Sequence, residues 1–195
     1  MSTKERILDV ALTLFAEYGY DGTSVEQIAN LVGIKAPSLY KHYKGKEDIL
    51  NALIDSAEAR YEELFGSEKN IGKIPESREE FISVTMGRIS FTMQDPVIRK
   101  TRMLLVQEQF RNKRISEVTT RHQLDGIQGM FARILKEMMD KGIVKMDDPA
   151  ILSAELTAPA VLQIARADRQ PQSRKEALES IEKHLRHFCQ VYMEG

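Results

Sequence analysis

A cluster of hydrogen-bond donors lies between Ile28 and Lys46, where the sequence has four lysines and no acidic residue. Tyr40 and His42 add a hydroxyl and an imidazole to this cluster. Ammonium, hydroxyl and imidazole groups donate hydrogen bonds to phosphate oxygens and to the acceptors on base edges. The cluster therefore has the chemistry to bind nucleic acid, although a solvated basic helix face would have the same composition.

Two short helices joined by a tight turn would position these donors. Thr23 or Ser24 caps the first helix, and Gly33 ends it. The second helix is predicted over Ala36–Tyr43, with Pro37 in its first turn. This layout is typical of a helix-turn-helix, whose second helix lies in the major groove of DNA. The alternative is an ordinary three-helix packing element with its tyrosines in the core.

A recognition helix must fit a groove roughly 12 Å wide, so its contact face needs small side chains together with donors. The predicted base-reading residues are Lys35, Ala36, Pro37, Ser38 and Lys41. The predicted phosphate-contacting residues are Ser24, Tyr40, His42 and Lys46. Free backbone amides at the start of the helix after Gly45 would add a further phosphate site.

Helical periodicity near 3.6 residues continues through the rest of the chain. The predicted fold class is therefore all-α, with about nine helices. We place a DNA-binding domain of three helices at residues 1–46 and a larger helical domain at residues 47–195. A long helix from Lys46 to about Leu64 would belong to both domains.

Local signals predict several boundaries within the larger domain. Ser77 with Glu80 has the spacing of a capping box. One long helix is predicted from a polar joint near Asn112 to Gly142, which would cap its end. Pro159 falls inside the following helix and predicts a kink there.

Composition restricts the class of protein and its compartment. The formal net charge is −1, so any affinity for nucleic acid must come from a local patch. No apolar run approaches the ~18–20 residues of a membrane span, and the N-terminus lacks a signal-peptide pattern. A single cysteine, Cys189, cannot form an intramolecular disulfide. We therefore expect a cytoplasmic protein with no membrane partner.

Neither an enzyme nor a bound cofactor is indicated. The sequence has no G-x-S-x-G, phosphate loop, H-E-x-x-H, dinucleotide fingerprint or C-x-x-C. His184, His187 and Cys189 are close in sequence, but two residues advance a helix by ~200°, which points the thiol away from the imidazoles. We therefore predict no metal site and no cofactor.

The segment from Ile7 to Leu50 resembles the N-terminal domain of the TetR family of bacterial transcriptional repressors. Its runs ILDVALTLFAEYGYDGTSVEQIA and LVGIKAPSLYKHYKGKEDIL follow the family patterns A-x-x-L-F-x-x-x-G-Y, T-[ST]-V-x-x-I-A and G-V-x-x-x-x-L-Y-x-[HY]-F-x-x-K-x-x-L. Ile34 stands where valine is usual. Tyr43 stands where phenylalanine is common, and its added hydroxyl is a candidate phosphate contact.

The resemblance implies a homodimer that binds double-stranded operators of partial two-fold symmetry and represses transcription. It also implies a C-terminal domain for regulation and dimerisation. A small hydrophobic effector bound there would change the spacing of the two recognition helices and weaken DNA binding. The alternative is a helical interaction protein on the same fold that lacks specific DNA binding.

The last helix has an apolar seam suited to helix–helix packing. The seam residues, which we predict as dimer interface, are Leu178, Ile181, Leu185, Phe188 and Tyr192. Together with the kinked helix around Leu152 to Ile164, they would form a four-helix interface between two copies. The alternative is that the seam packs on its own chain.

Methionines are concentrated in the larger domain, with eight of nine beyond residue 85. Methionine adapts to irregular partners, so methionine and phenylalanine walls suit an adaptable pocket, although plain core is the alternative for each residue. The candidate ligand-binding residues are Met86, Met93, Met103, Gln107, Phe110, His122, Gln128 and Phe131.

Overall fold

The computed structural model describes residues 1–65 and 71–193, without the side chains of residues 64–65 and 122–124. Within these ranges the chain forms ten α-helices and no β-strand. The helices are α1 (Thr3–Tyr18), α2 (Val25–Val32), α3 (Ala36–Leu39), α4 (Lys46–Phe65), α5 (Arg78–Gln94), α6 (Pro96–Glu108), α7 (Lys113–Thr120), α8 (Ile127–Asp140), α9 (Pro149–Arg169) and α10 (Arg174–Tyr192). The predicted all-α fold class is confirmed.

Two compact units divide the chain. The first contains Met1–Glu63 and Pro96–Thr119, and the second contains Leu64–Asp95 and Thr120–Gly195. The first unit thus joins α6 and α7, which come later in the chain, to the three N-terminal helices and most of α4. The predicted functional division at residue 46 remains a prediction.

The core of the first unit forms where the apolar faces of its helices meet. Its innermost side chains, each with no more than 1% of its surface exposed, are Ile7, Phe15, Ile28, Leu39, Ile49, Leu50, Leu104 and Ile115. Two capping boxes begin the helices that supply this core, at Ser2 with Glu5 and at Ser24 with Gln27. Each box satisfies two backbone N–H groups that helix geometry leaves without a partner.

The core of the second unit lies among α5, α8, α9 and α10. Asp148 begins α9 by accepting hydrogen bonds from the N–H groups of Ala150 and Ile151, at 2.8 and 3.3 Å. An isolated β-bridge joins Val144 to Met193. This bridge joins the segment after α8 to the residue that follows α10.

Two predicted helix boundaries were wrong. The helix predicted over Ala36–Tyr43 ends at Leu39, because the chain tightens into a turn in which the His42 N–H donates to the Leu39 carbonyl at 2.8 Å. The single long helix predicted to end at Gly142 is interrupted by a π-helical segment, Arg121–Gly126, between α7 and α8.

The predicted capping box at Ser77 is only half formed. The Ser77 hydroxyl accepts the Glu80 N–H, as expected. The Glu80 carboxylate turns instead to the Glu76 N–H at 2.8 Å and to the Lys73 ammonium at 2.9 Å. The nearby ammonium competes with the serine N–H for the same carboxylate, and spacing alone does not reveal that competition.

Cys189 is fully buried, and burial raises the pKa of its thiol from an ordinary 9.0 to about 11. We expect native protein at pH 8 to resist iodoacetamide, because roughly one thiol in a thousand is then ionised and the sulfur is covered. Protein unfolded in urea should react fully. Since burial raises this pKa, its contribution to stability is complete below about pH 9 and is lost as the pH approaches 11. Rapid labelling of folded protein would contradict this.

Candidate nucleic-acid interface

Helix α2 and the turn after it set the position of α3. Ser24 caps α2, since its hydroxyl accepts the Gln27 N–H at 3.1 Å while its own N–H donates to the Gln27 side chain at 2.7 Å. Gly33 ends α2 in the left-handed conformation, with φ 79° and ψ 32°, which favours glycine because it has no Cβ. The turn then delivers Lys35 in an extended conformation to the start of α3.

A residue of α1 also stabilises the turn between α2 and α3. The Arg6 guanidinium donates to the Val32 carbonyl at 2.6 Å and so joins α1 to the last turn of α2. Leu39 is completely buried, and it anchors α3 on the core of the first unit. Helix α3 is therefore short, and it is anchored through Leu39 behind a turn that Arg6 stabilises.

The predicted DNA-contacting residues in α3 and directly beside it lie on the outside of the first unit. Lys35, Pro37, Lys41 and His42 are exposed, and Tyr40 has 51% of its surface exposed. Ala36 and Ser38 are half-buried between them. This surface offers small side chains at the helix start and cations around it, as base reading in a groove requires.

Ser24 and Lys46 are engaged within the protein. The Ser24 hydroxyl is occupied by its capping bond. The Lys46 ammonium donates to the Tyr20 carbonyl at 2.8 Å and lies 4.5 Å from the centre of the Tyr20 ring. An ammonium has three donors, so Lys46 retains two for another acceptor. Both residues remain predicted phosphate contacts, with Lys46 already positioned before any DNA is bound.

Helix α4 begins beside this surface, where free amides were predicted to bind phosphate. Asp48, in its first turn, accepts the Lys44 N–H at 2.9 Å. Together with Glu47 it places two carboxylates at the helix start. Negative charge there stabilises the helix dipole but competes with a phosphate for the same end.

Tyr43 does not reach the surface. Its side chain is 3% exposed, and its hydroxyl is buried with no hydrogen-bond partner among the described residues. Burial, together with the charge of Asp48, raises the pKa of this hydroxyl. The Lys4 ammonium lies 5.5 Å from the ring centre. The expectation that this hydroxyl contacts phosphate was therefore wrong, because the ring packs inward with Leu39.

We expect Tyr43→Phe to raise the free energy of unfolding by about 1 kcal/mol, because it removes a buried hydroxyl that lacks a partner. Urea denaturation followed by far-UV circular dichroism measures the change. Tyr40→Phe is the matched control and should change stability by less than about 0.5 kcal/mol, since that hydroxyl lies at an exposed position. A less stable Tyr43→Phe protein would show that the hydroxyl has a favourable partner.

The predicted ligand-binding residues fall in both units. Met103, Gln107 and Phe110 belong to the first unit, whereas Met86, Met93, Gln128 and Phe131 belong to the second. Met93 and Phe131 are core residues, at 1% and 7% exposure. Gln107 and Gln128 are exposed, and the His122 side chain lies outside the described residues.

Two open depressions touch this predicted set. One of about 530 Å³ lies over the α6–α7 corner beside Phe110, which is 90% exposed. The other, of about 250 Å³, lies between α5 and α10 beside Met86. The eight residues remain a predicted ligand site; of them, Phe110 lines the first depression and Met86 lines the second.

The apolar seam of α10 packs on its own chain. Ile181, Leu185 and Phe188 are only 1–2% exposed and belong to the core of the second unit. Side chains that are already covered have no surface left to bury against a second copy, so the predicted interface was wrong for these three. Leu178 and Tyr192 are half-buried, and the Tyr192 hydroxyl donates to Glu155 at 2.7 Å.

Within the described part of the chain, no helix combines the length and the apolar character needed to cross a bilayer.

The capped α2, the glycine turn and the short α3, with exposed lysines before and after it, define a helix-turn-helix protein. Residues 7–53 match the family model of the bacterial regulatory proteins of the tetR family. Over these residues the chain is therefore similar to the DNA-binding domain of the tetR family.

Curated relatives match the same region. The chain is 47% identical over 53 residues to IcaR, the negative transcriptional regulator of the icaADBC biofilm operon in Staphylococcus epidermidis. It is 52% identical over 46 residues to IcaR of Staphylococcus aureus strain Newman. The first alignment covers 27% of this chain and 29% of the relative, so less than a third of that relative's length is matched.

Solved structures share the fold over nearly the whole chain. SmeT, the repressor of the Stenotrophomonas maltophilia multidrug efflux pump SmeDEF, has a TM-score of 0.73 at 22% identity, covering 100% of this chain and 92% of that one. A SmeT–triclosan complex has a TM-score of 0.79 at 21% identity, covering 100% and 93%. GusR of Salmonella enterica has a TM-score of 0.71 at 21% identity, covering 96% and 95%.

Proposed function

We propose that the protein is a dimeric repressor that binds operator DNA through α2 and α3 and is released by a small hydrophobic ligand. The observation that carries the proposal is the surface at α3, where the exposed Lys35 and Lys41 flank a short helix that begins with small side chains and is held on the core by Leu39. Similarity to IcaR, described as a negative regulator, favours repression over activation.

Base reading and phosphate binding are divided along this surface. Lys35 precedes α3 and Ser38 lies within it, near the end of a recognition helix that contacts base edges. Lys41, two residues beyond α3, is the third proposed base-reading residue. Tyr40 and His42, in the turn beyond α3, and Lys46 offer donors to the flanking phosphates. Phosphate contacts set the position of the protein and base contacts set the sequence that it prefers.

A dimer requires a surface other than the seam of α10. Helix α9 exposes Ile151 at 56% and Leu162 at 66%, and Ala158 is exposed between them. Positions 151, 155, 158 and 162 repeat at the spacing of one helix face. We propose that this face of α9 pairs with a second copy, which would present two recognition helices to successive major grooves about 34–36 Å apart.

The proposed ligand is small and hydrophobic. SmeT, which shares the fold, has been solved with triclosan. The candidate contacts remain those predicted from the sequence, of which Met86, Met93 and Phe131 lie in or against the core of the second unit. A ligand that enters this core must open it, because these side chains already fill it.

Fluorescence anisotropy of a labelled random duplex, titrated over a salt series, tests the proposed function. We expect binding that weakens steeply with salt, because each phosphate contact releases a counterion on binding. Lys41→Ala should then alter the preferred sequence selected from a random library, by about 1–3 kcal/mol at one base position. Lys136→Ala, at an exposed lysine of α8, is the matched control and should change neither result.

No binding to any duplex at low ionic strength would contradict the proposal and favour a helical interaction protein. Selection of the same sequence by wild type and Lys41→Ala would contradict the assignment of Lys41 to base reading.

A further inference from the structure

Glu108, the last residue of α6, carries a buried carboxyl group. Only 5% of its surface is exposed. Its Oε1 accepts the backbone N–H of Tyr20 at 3.1 Å, a contact between residues 88 positions apart in the sequence. A buried carboxylate is unfavourable unless it is hydrogen-bonded or paired, so this contact is the feature that accommodates Glu108 in the core.

The chain is shaped to admit this carboxylate. Gly19 adopts φ +77°, and a Cβ built there would lie 2.9 Å from Glu108 Oε1. Any larger residue at position 19 would be strained and would push the carboxylate away from the Tyr20 N–H. The corner between α1 and α2 is therefore fitted to Glu108.

Tyr20 is held from its other side by Lys46. Its carbonyl accepts the Lys46 ammonium at 2.8 Å, and its ring lies beneath the same ammonium and 5.3 Å from the Phe15 ring. One residue thus binds a carboxylate through its N–H and an ammonium through its C=O. These two hydrogen bonds fix the two peptide groups that meet at the Tyr20 Cα, and so they restrict the conformation of that residue.

A second contact joins α6 to the same part of the unit. The Lys100 ammonium of α6 donates to the Thr13 hydroxyl of α1 at 3.1 Å. Helix α6 therefore lies along α1 and ends at the Tyr20 corner, close to the start of α4.

We propose that Glu108 is a positioning residue for DNA binding. It fixes the Tyr20 corner, and the corner holds the Lys46 ammonium where two of its donors stay available to a DNA phosphate. Glu108 itself does not touch DNA. This inference rests on the proposed function and adds to it a residue of α6, outside the family's helix-turn-helix segment.

A double-mutant cycle tests the proposal. Glu108→Gln keeps the side-chain shape but replaces the charge-assisted hydrogen bond from the Tyr20 N–H with a weaker neutral one, so affinity for duplex DNA should fall about fivefold. Lys46→Ala should weaken binding and lower the salt slope by about one phosphate. In the double variant the Glu108→Gln effect should disappear, to within about twofold of Lys46→Ala alone, because both act through one contact.

Two controls separate positioning from general damage. Glu108→Gln combined with Lys41→Ala should show effects that multiply, since Lys41 is not held by Tyr20. Glu117→Gln, at an exposed carboxylate of α7, should bind as wild type does. If Glu108→Gln fails to fold, as judged by circular dichroism, Gly19→Ala displaces the same carboxylate and should show the same dependence on Lys46.

Multiplying effects of Glu108→Gln and Lys46→Ala would overturn the proposal, as would wild-type affinity in a folded Glu108→Gln protein. If wild-type protein bound no duplex, the proposed function itself would fail, and this inference with it.

Discussion

Leu162→Glu should convert the protein from a dimer to a monomer and lower its affinity for an operator with two half-sites by about 10²–10⁴-fold. Leu162 is 66% exposed on the proposed dimer face of α9. A carboxylate there would be buried without a partner in the paired state, which is strongly unfavourable. Each monomer would then bind one half-site alone and lose the advantage of linked binding.

Sedimentation equilibrium at micromolar concentration measures the first effect, with wild type expected at about twice the 22.3-kDa chain mass. Met146→Glu is the matched control, because Met146 is also an exposed apolar residue, at 73%, but lies in the loop before α9. It should leave both the dimer and the DNA affinity unchanged. A dimeric Leu162→Glu protein would show that copies pair through another surface.

The elements around α3 could be predicted from the sequence, because helix starts and ends depend on residues only a few positions apart. A serine at the helix start and a glutamine three positions later satisfy each other's backbone and side-chain groups, as they do at Ser24 and Gln27. Lys35 and Lys41 are exposed, as residues that contact DNA must be, and Leu39 is the buried residue of α3. These features depend on residues a few positions apart.

The seam of α10 shows where periodicity stops being informative. An apolar stripe at spacings of three and four must be buried, but the spacing is the same whether its partner is another helix of the chain or a second copy. Ile181, Leu185 and Phe188 pack within their own unit. The exposed Leu162 of α9 was not distinguishable from its buried neighbours without the fold.

The surroundings of Lys46 depend on contacts that are distant in sequence. Tyr20 lies 26 positions away from Lys46 and 88 positions away from Glu108. The sequence indicated Lys46 as a candidate phosphate contact, but it did not indicate that Tyr20 would bind the Lys46 ammonium. Nothing in the sequence near Gly19 indicates the distant carboxylate for which this glycine makes room.

Leu39→Ala should lower the free energy of unfolding of the first unit by about 2–5 kcal/mol, the range for removing a buried leucine side chain from a packed core. Leu39 has no exposed surface, and it is the residue through which α3 is attached to α2 and to the core. Losing it leaves a cavity and frees the recognition helix to move. DNA binding should therefore weaken even where the protein remains folded.

Leu31→Ala provides the matched comparison, because Leu31 lies in the last turn of α2, in the same motif, and is 64% exposed. It should change stability by less than about 0.5 kcal/mol. Urea denaturation of both variants, followed by anisotropy at a temperature where each is folded, separates lost stability from lost binding. Equal stabilities for the two variants would show that α3 is not held by Leu39, and the rigid surface on which DNA recognition depends would need another anchor.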